Sequence, residues 1–210
     1  MRGVTLIKIC GITNLADALM SVRAGADMLG FNFYRASPRY IAPNEARRII
    51  QELSDEAMAV GLFVNEESPE RVMELADAAG VRAVQLHGDE PPEYCCALEG
   101  RFVIKALRVR EDFKPESAGH YATEAILLDG FSREAYGGTG KTFDWTAAQR
   151  ASGFVQKLFL AGGLSAANVA EAVRLVRPYA VDACSSVERA PGIKDEERLR
   201  SFVAAVRSAV

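Results

Sequence analysis

The sequence of 210 residues predicts an α/β protein in which residues 1–210 form a single-domain (β/α)8 barrel, the TIM barrel. Short apolar or β-branched runs alternate with segments of helical spacing along the chain, and repeated βα units predict a parallel sheet covered by helices. Eight such units in a chain of this length indicate a compact barrel. A doubly wound open sheet needs a glycine fingerprint after its first strand, and the first run here ends in Cys10-Gly11-Ile12-Thr13 instead.

Apolar and β-branched residues mark the predicted strands, and helix start signals such as Asn14, Ser68-Pro69 and Ser165 mark the segments that follow several of them. The predicted strands are Thr5 to Cys10, Met28 to Phe33, Met58 to Val64, Ala83 to Leu86, Phe102 to Leu107, Ala125 to Leu128, Lys157 to Leu160 and Ala180 to Ala183. The predicted helices are Asn14 to Ala24, Pro43 to Leu53, Pro69 to Ala79, Pro91 to Leu98, Ala166 to Val176 and Glu196 to Val206. The helical pattern is weakest after the fourth, fifth and sixth strands.

Charge and composition narrow the class of partner. A net charge of −3 gives no basic footprint for nucleic acid or for an anionic membrane surface. No apolar run approaches the length of about 18 residues that a membrane helix needs, and the N-terminal run is typical of a first strand, not of a signal peptide. The four cysteines form no CxxC pair, which favours a reducing cytoplasm. Cys95 and Cys96 are predicted to pack within a helical segment.

Three turns in the C-terminal half predict an anion site. They are Gly137-Gly138-Thr139-Gly140-Lys141, Leu160-Ala161-Gly162-Gly163-Leu164 and Asp182-Ala183-Cys184-Ser185-Ser186. Glycine lets backbone N–H groups approach an anion closely, and a helix that begins after such a turn adds its positive end. Turns after the seventh and eighth strands form the usual phosphate site of this fold. The sequence therefore predicts a barrel of the phosphate-binding type that holds a small phosphorylated molecule.

Polar residues follow the apolar strands, at the end of the barrel where the chemistry of this fold takes place. In chain order they are Cys10, Asn32 with Tyr34 and Arg39, Asn65, Gln85 with His87, Lys105 or Arg108, Asp129, the turn from Leu160 to Leu164, and Asp182 with Ser185. Packing alone does not explain such a ring of polar residues.

Cys10, Asp129 and Asp182 are the candidate acid–base groups. A thiol whose pKa is lowered by its neighbours becomes a base or nucleophile, although a buried packing role is equally compatible with Cys10. A carboxylate at the mouth of a barrel gains a raised pKa by partial burial and can then donate a proton near neutral pH. Spacing alone does not decide which of the two aspartates has that role.

Arg39, Lys8 and His87 are candidate ligands for the substrate. The Arg39 guanidinium is suited to a carboxylate, but its position alone favours a solvated loop arginine. Lys8 either pairs with a carboxylate such as Asp182 or is a solvated charge. His87 ends the fourth strand, but the only other histidine is His120, in a helical or loop segment. That is a poor ligand set, so we predict no metal.

An ordered set of short motifs resembles the phosphoribosylanthranilate isomerase family. The motifs run from residue 8 to residue 195: Lys8-Ile9-Cys10-Gly11-Ile12-Thr13, Phe33-Tyr34-Arg35-Ala36-Ser37-Pro38-Arg39, Val84-Gln85-Leu86-His87-Gly88, Leu128-Asp129, Gly137-Gly138-Thr139-Gly140, Phe143-Asp144-Trp145, Leu160-Ala161-Gly162-Gly163-Leu164 and Pro191-Gly192-Ile193-Lys194-Asp195. Each motif is weak alone, but their order is specific. The resemblance implies the Amadori rearrangement of N-(5-phosphoribosyl)anthranilate to 1-(o-carboxyphenylamino)-1-deoxyribulose 5-phosphate in tryptophan biosynthesis.

The resemblance also implies a role for each matching residue. Cys10 matches the general base and Asp129 the general acid of the family. Arg39 matches the ligand of the anthranilate carboxylate, and Asp182 the residue that contacts the sugar hydroxyls; Lys8 and His87 complete the predicted substrate-binding set. The predicted phosphate ligands are Gly138, Thr139, Gly140, Gly162, Gly163, Ser185 and Ser186. No cofactor is implied, and the expected state is a monomer or homodimer with a small phosphorylated substrate as its partner.

Two positions depart from the family pattern, which usually has Ser-Ser-Gly where this chain has Cys184-Ser185-Ser186. If the family's glycine needs a positive φ, Ser186 carries backbone strain; if not, its hydroxyl adds a phosphate contact. Two alternative functions are another isomerase on the same fold and a catalytically silent barrel that binds a phosphorylated metabolite. The first expects an aspartate where this chain has Cys10, or a metal site, and the second expects loss of Cys10 or Asp129.

Overall fold

The computed structural model describes residues 4–53, 56–98, 100–130 and 144–209. Eight parallel strands close into a barrel in the order of the sequence, and the eighth pairs with the first. They are β1 (Leu6–Cys10), β2 (Met28–Asn32), β3 (Met58–Phe63), β4 (Ala83–Leu86), β5 (Phe102–Val109), β6 (Ala125–Gly130), β7 (Leu158–Leu160) and β8 (Ala180–Ala183). The predicted barrel is confirmed.

Helices cover the outside of the barrel. They are α1 (Leu15–Ala24), α2 (Pro43–Glu52), α3 (Pro69–Ala79), α4 (Pro92–Cys96), α5 (Trp145–Ala151), α6 (Val169–Val176) and α7 (Glu196–Arg207). Short 3-10 turns occur at Pro115–His120, Ser152–Phe154 and Ser185–Val187. Within the described ranges no helix has the length and apolar character needed to cross a bilayer.

The strand faces that point into the barrel change from apolar to polar along their length. Side chains alternate along a strand, so every second residue shares a face. On β6 this face carries Ala125 and Leu127, which belong to the apolar interior, and then Asp129. On β8 it carries Ala180 and then Asp182. The polar groups therefore converge at one end of a packed core, above the apolar layers.

Start and stop signals define α1 and α3 as the sequence predicts. The side chains of Asn14 and Ser68 accept hydrogen bonds from the first turns of these helices, and Gly25 and Gly80 end them in the left-handed conformation. The helix predicted from Ala166 begins later, as α6, because the side chain of Asn168 bonds back to Ser165 N and Gly163 O. This bond shapes the turn after β7.

Two segments differ from the prediction. After β5 the described chain forms only a 3-10 turn, Pro115–His120, where the repeat predicts a helix. After β8 the chain forms an antiparallel hairpin of β9 (Glu188–Ala190) and β10 (Ile193–Lys194) before α7 begins. The sequence analysis did not predict the hairpin, whose side chains contact the end of β1.

Candidate active site

Five predicted site residues lie on strands or strand ends at the polar end of the barrel. Lys8, Cys10, His87, Asp129 and Asp182 are each at most 9% exposed. Three predicted phosphate ligands, Gly138, Thr139 and Gly140, lie outside the described residues.

Lys8 and Asp182 form an ion pair inside the barrel, so the pairing that the sequence left open is confirmed. Lys8 Nζ lies 3.0 Å from Asp182 Oδ1, and the Lys8 side chain is fully buried. Burial raises the pKa of the Asp182 carboxyl to about 7, helped by the nearby Cys10 and Asp129, while Lys8 opposes the shift. Burial would lower the pKa of Lys8, but Asp182 and Cys10 raise it above its ordinary value, so Lys8 stays a cation.

Cys10 lies among groups that stabilise its thiolate. The Cys184 thiol donates a hydrogen bond to Cys10 and lowers its pKa well below the ordinary value, although burial opposes this shift. The positive charges of Lys8 and Lys194 lower the pKa of Cys10 further. A thiolate is the form of cysteine that acts as a base or nucleophile. The surroundings of Cys10 are therefore those of a reactive cysteine.

Gly30 on β2 makes room for the side chains of Lys8 and Cys10. A Cβ atom at Gly30 would lie 2.8 Å from Cys10 Sγ and 3.1 Å from Lys8 Nζ. Both distances are too short for an unstrained contact. The thiol and the ammonium thus occupy space that a larger residue on the neighbouring strand would fill.

Asp129 is linked to β4 through His87. Gln85 Nε2 lies 2.8 Å from His87 Nδ1, and His87 Nε2 lies 3.2 Å from Asp129 Oδ2. With the amide in this orientation Gln85 donates to Nδ1, so Nε2 carries the proton and donates to the carboxylate. The structure therefore places His87, a predicted substrate ligand, on Asp129, and both of its ring nitrogens are engaged.

Arg39 is held by Glu188, which the sequence analysis did not identify. Arg39 Nε and Nη2 donate to the two Glu188 oxygens at 2.7–3.0 Å, a side-on arrangement that leaves Nη1 for another acceptor. Lys194 Nζ, 2.8 Å from Glu188 Oε1, also donates to the carbonyl of Cys10. One buried carboxylate therefore joins the loop after β2, the hairpin after β8 and the end of β1.

The turn after β7 approaches β6 closely. Gly162 and Gly163 have φ of +80° and +65°, the left-handed region that favours glycine. A Cβ at Gly162 would lie 2.2 Å from Gly130 N and 3.0 Å from Asp129 Oδ1. Their backbone N–H groups donate to no other described residue. The turn combines a close approach to the carboxylate with two available donors.

The close approach at Gly162 gives a stability prediction. We expect Gly162→Ala to lower the free energy of unfolding by about 2–5 kcal/mol, the sum of a left-handed alanine and a steric overlap. Gly80→Ala is the matched control, because Gly80 also has a positive φ but open space around its Cβ position. Its cost should be only about 1–2 kcal/mol. Urea unfolding of both variants measures the difference, and equal losses would contradict the steric argument.

Ser185 and Ser186 lie in the short turn after β8. Among the described residues other than glycine, a positive φ occurs only at Asn65 and Arg177, so Ser186 carries no such strain. Its hydroxyl is buried and has no hydrogen-bond partner within the described chain. A buried donor without a partner costs free energy, so this hydroxyl is suited to a ligand.

Several other polar strand ends stabilise loops. Asn32 bonds to Ser37 in the loop that carries Arg39. Lys105 Nζ donates to Glu90 Oε2 at 2.7 Å and to the carbonyl of Gly88 at 2.8 Å, which fixes the loop after His87. Asn65 Oδ1 accepts a hydrogen bond from Asp89 N, and Arg108 forms an ion pair with the Asp89 side chain.

The packing prediction for the two adjacent cysteines is half correct. Cys95 on α4 is buried, but Cys96 is exposed, since consecutive residues of a helix point in different directions. No group of three or more histidine, cysteine, aspartate or glutamate residues in the described ranges is arranged to hold a metal ion. The predicted absence of a metal and of a cofactor stays a prediction.

Comparison with known proteins adds the family. The model of the family described as N-(5'-phosphoribosyl)anthranilate (PRA) isomerase matches residues 7–205. The N-(5'-phosphoribosyl)anthranilate isomerase of Geobacter sulfurreducens is 52% identical over 197 residues, which cover 94% of this chain and 96% of that protein. The crystal structure of phosphoribosyl anthranilate isomerase from Thermotoga maritima has a TM-score of 0.91 and 45% identity, covering 98% and 100% of the two chains.

A second solved structure has a ligand. It is phosphoribosyl anthranilate isomerase in complex with reduced 1-(o-carboxyphenylamino)-1-deoxyribulose 5-phosphate, with a TM-score of 0.88 and 43% identity over 98% of this chain and all of that one. The closed barrel, its polar end and these matches define an isomerase of the (β/α)8 class. The chain belongs to the N-(5'-phosphoribosyl)anthranilate isomerase family.

Proposed function

We propose that this protein converts N-(5'-phosphoribosyl)anthranilate into 1-(o-carboxyphenylamino)-1-deoxyribulose 5-phosphate, a step of tryptophan biosynthesis, by general acid–base catalysis. One observation carries the mechanism: the chain presents a thiolate-favouring site at Cys10 and a carboxyl group at Asp129 on strands of the same barrel end. An acid and a base with different surroundings can have opposite protonation states at one pH. The Amadori rearrangement needs such a pair.

Asp129 is the proposed acid. Its proton goes to the ring oxygen of the ribofuranose, the bond from that oxygen to C1 breaks, and the anilino nitrogen supplies the electron pair that forms the Schiff base. His87 Nε2 supports the carboxylate that remains, because it donates a hydrogen bond at 3.2 Å. Gln85 fixes the histidine tautomer that makes this bond available.

The Gln85 amide also has a second useful orientation. Its Oε1 is buried without a partner among the described residues. Turned over, the amide accepts from His87 Nδ1, and His87 Nε2 then accepts from protonated Asp129. The two orientations correspond to the two protonation states of Asp129, before and after it donates its proton. We infer that Gln85 and His87 adjust to both.

Cys10 is the proposed base. As thiolate it removes the proton from C2 of the Schiff base, and the C–H electrons form the C1=C2 bond of an enolamine, which tautomerises to the ketone. The positive charges of Lys8 and Lys194 favour the thiolate before the reaction. Asp182, paired with Lys8 beside Cys10, is the proposed ligand of the sugar hydroxyls.

Three groups are proposed to hold the rest of the substrate. Arg39 Nη1 faces the anthranilate carboxylate, while Glu188 holds the other side of the guanidinium. The amides of Gly162 and Gly163 and the Ser186 hydroxyl bind the phosphate, with Ser185 beside them. The proposed phosphate site also includes Gly138, Thr139 and Gly140, which stay predictions from the sequence. Monomer or homodimer stays the expected state.

A continuous fluorescence assay tests the proposed function. Anthranilate and phosphoribosyl pyrophosphate, joined by the corresponding transferase, generate the unstable substrate in place, and its fluorescence is followed after this protein is added. We expect a rapid loss of fluorescence. No loss, with folded protein that still binds the reduced product analogue, would favour the silent phosphate-binding barrel instead.

Arg39→Ala tests the carboxylate contact. We expect KM to rise about 10–100-fold with little change in kcat, because a charge-assisted hydrogen bond contributes about 1.5–3 kcal/mol and acts on substrate and transition state alike. Glu188 keeps Lys194 as a partner in this variant. Arg150→Ala, which removes an exposed surface pair, is the control and should match the parent protein. A pure kcat effect would contradict the role.

A further inference from the structure

Two cysteines meet at the junction where the barrel closes. Ile9 on β1 pairs with Ala183 on β8, and Cys10 and Cys184 are the residues that directly follow this last pair. The two side chains meet in one cluster, because Cys184 packs against the small apolar cluster that contains Cys10. Both cysteines are free.

The backbone separation suits a covalent link. Neighbouring strands lie about 4.8 Å apart, and disulfides join Cα atoms that are about 4.4–6.8 Å apart. Cys10 and Cys184 directly follow the last paired residues of β1 and β8, and the Cys184 side chain packs against the cluster that contains Cys10. Cys184 lies just outside β8 and has φ −132° and ψ −86°, which is not a strand conformation. Strand pairing therefore does not fix its backbone.

The two thiols differ in reactivity. The hydrogen bond from Cys184 and the nearby cations lower the pKa of Cys10 and favour its thiolate. The same hydrogen bond and burial raise the pKa of Cys184, which therefore stays a neutral thiol. Susceptibility to oxidation follows thiolate character. Cys10 is therefore the sulfur that an oxidant attacks first, with a neutral thiol in contact with it.

We propose that Cys10 and Cys184 form a redox modification site, at which a hydroperoxide converts the two thiols into a reversible disulfide. In the site described above Cys184 only supports the Cys10 thiolate, and this inference goes beyond that role. The occupant of the site is a small oxidant of the hydroperoxide class, which can follow the path that any substrate must take to Cys10.

The reaction has two balanced steps. The Cys10 thiolate attacks one oxygen of the hydroperoxide, the O–O bond breaks, and the products are Cys10 sulfenic acid and an alkoxide or hydroxide that takes up a proton. Cys184 sulfur then attacks the Cys10 sulfur, the S–O bond breaks, and the thiol proton leaves with the oxygen as water. Overall, two thiols lose two electrons and two protons, and the hydroperoxide is reduced.

The first step prepares Cys184 for the second. When Cys10 becomes a neutral sulfenic acid, the thiolate that accepted the Cys184 proton and repelled its negative charge is gone. Lys194 and Arg39 lower the pKa of Cys184 in the reduced protein, and their effect is then opposed mainly by burial. Cys184 Sγ also lies 3.9 Å from Glu188 Oε1, which can accept the hydrogen bond of the thiol once the Cys10 thiolate is gone. Cys184 thus becomes the better nucleophile once it is needed.

The other cysteines are unsuited to this chemistry. Burial raises the pKa of Cys95 to about 11, which disfavours its thiolate. Cys96 is exposed and adjacent to Cys95 on α4, and both lie away from the closing strands. They provide a matched internal control, because Cys95→Ser/Cys96→Ser removes two thiols and leaves the proposed pair intact.

Peptide mass spectrometry after graded hydrogen peroxide treatment tests the proposal. In the parent protein and in the Cys95→Ser/Cys96→Ser control we expect a peptide pair linked through Cys10 and Cys184, two hydrogens lighter than the separate thiol peptides, which dithiothreitol releases. In Cys184→Ser the first step has no partner thiol, so Cys10 should proceed to sulfinic acid. Isomerase activity lost to peroxide should recover with dithiothreitol in the parent protein but not in Cys184→Ser, because sulfinic acid is not reduced by a thiol.

Contrary results are equally clear. Cys10 sulfinic acid without a linked peptide in the parent protein, or a link through Cys95 or Cys96, would overturn the proposal. The mass measurement needs no substrate, so it separates this inference from the proposed function. A linked peptide in a protein without isomerase activity would support the modification site and refute the isomerase mechanism. Isomerase activity without a linked peptide would support the mechanism and refute the modification site.

Discussion

Cys10→Ala should lower kcat by about 10²–10⁴-fold, the usual contribution of a positioned general base, and leave KM nearly unchanged. The substitution removes one buried sulfur atom, while the Lys8–Asp182 pair and the Arg39–Glu188 pair that we assign to substrate binding remain. Steady-state kinetics in the coupled fluorescence assay measure both constants. A retained kcat would remove Cys10 as the base.

The pH profile adds a second test of the same residue. The pKa of Cys10 is lowered, so kcat/KM of the parent protein should fall as the pH falls through that lowered value, because the thiolate is then protonated. Cys184→Ala removes the hydrogen bond that contributes most to the shift, so this limb should move to higher pH. Cys184→Ser keeps a donor at the position and should move it less. An unmoved limb in Cys184→Ala would contradict the assigned cause.

Asp129→Asn should have a loss of similar size in kcat, about 10²–10⁴-fold, because an amide has the shape of the carboxyl group but does not supply the proton that opens the ring. The amide can still bond to His87, whose ring offers either a donor or an acceptor. KM should therefore change little, and thermal unfolding should show that the variant folds.

Asp182→Asn is the matched control for Asp129→Asn. Asp182 is also a buried aspartate at the end of a strand, but it pairs with Lys8 and is assigned to binding. We expect this change to raise KM as well as to affect kcat. If Asp182→Asn removed the chemical step and Asp129→Asn did not, the acid would be assigned to the other aspartate.

The barrel could be predicted from the sequence because its signals are local. Apolar runs define the strands, and Asn14, Ser68 and the glycines that end α1 and α3 act within one turn of a helix. The prediction was wrong for the segment after β5, because only the βα repeat indicated a helix there. The segment instead forms a 3-10 turn that begins at Pro115. Repetition predicts the number of strands better than the form of each connection.

The site was only partly predictable, because its contacts join distant parts of the chain. Strand ends identified Cys10 and Asp129 as neighbours of one barrel end. Glu188 gave no signal of its own: its partner Arg39 is 149 positions away, and a glutamate after a strand is usually solvated. Likewise, the spacing of the strands does not distinguish Asp182, which pairs with Lys8, from Asp129, which His87 supports.

The assembly of the Cys10 surroundings from both ends of the chain has a consequence during protein synthesis. The cations that favour its thiolate include Lys194, 184 positions further on, and Lys8 is held by Asp182, 174 positions away. While a ribosome is still making the second half, Cys10 lacks these partners and keeps the low reactivity of a cysteine in an unfolded chain. The surroundings that favour the thiolate arise only when β8 and the hairpin reach β1, so we expect the nascent polypeptide to be spared the oxidation proposed above for the finished protein.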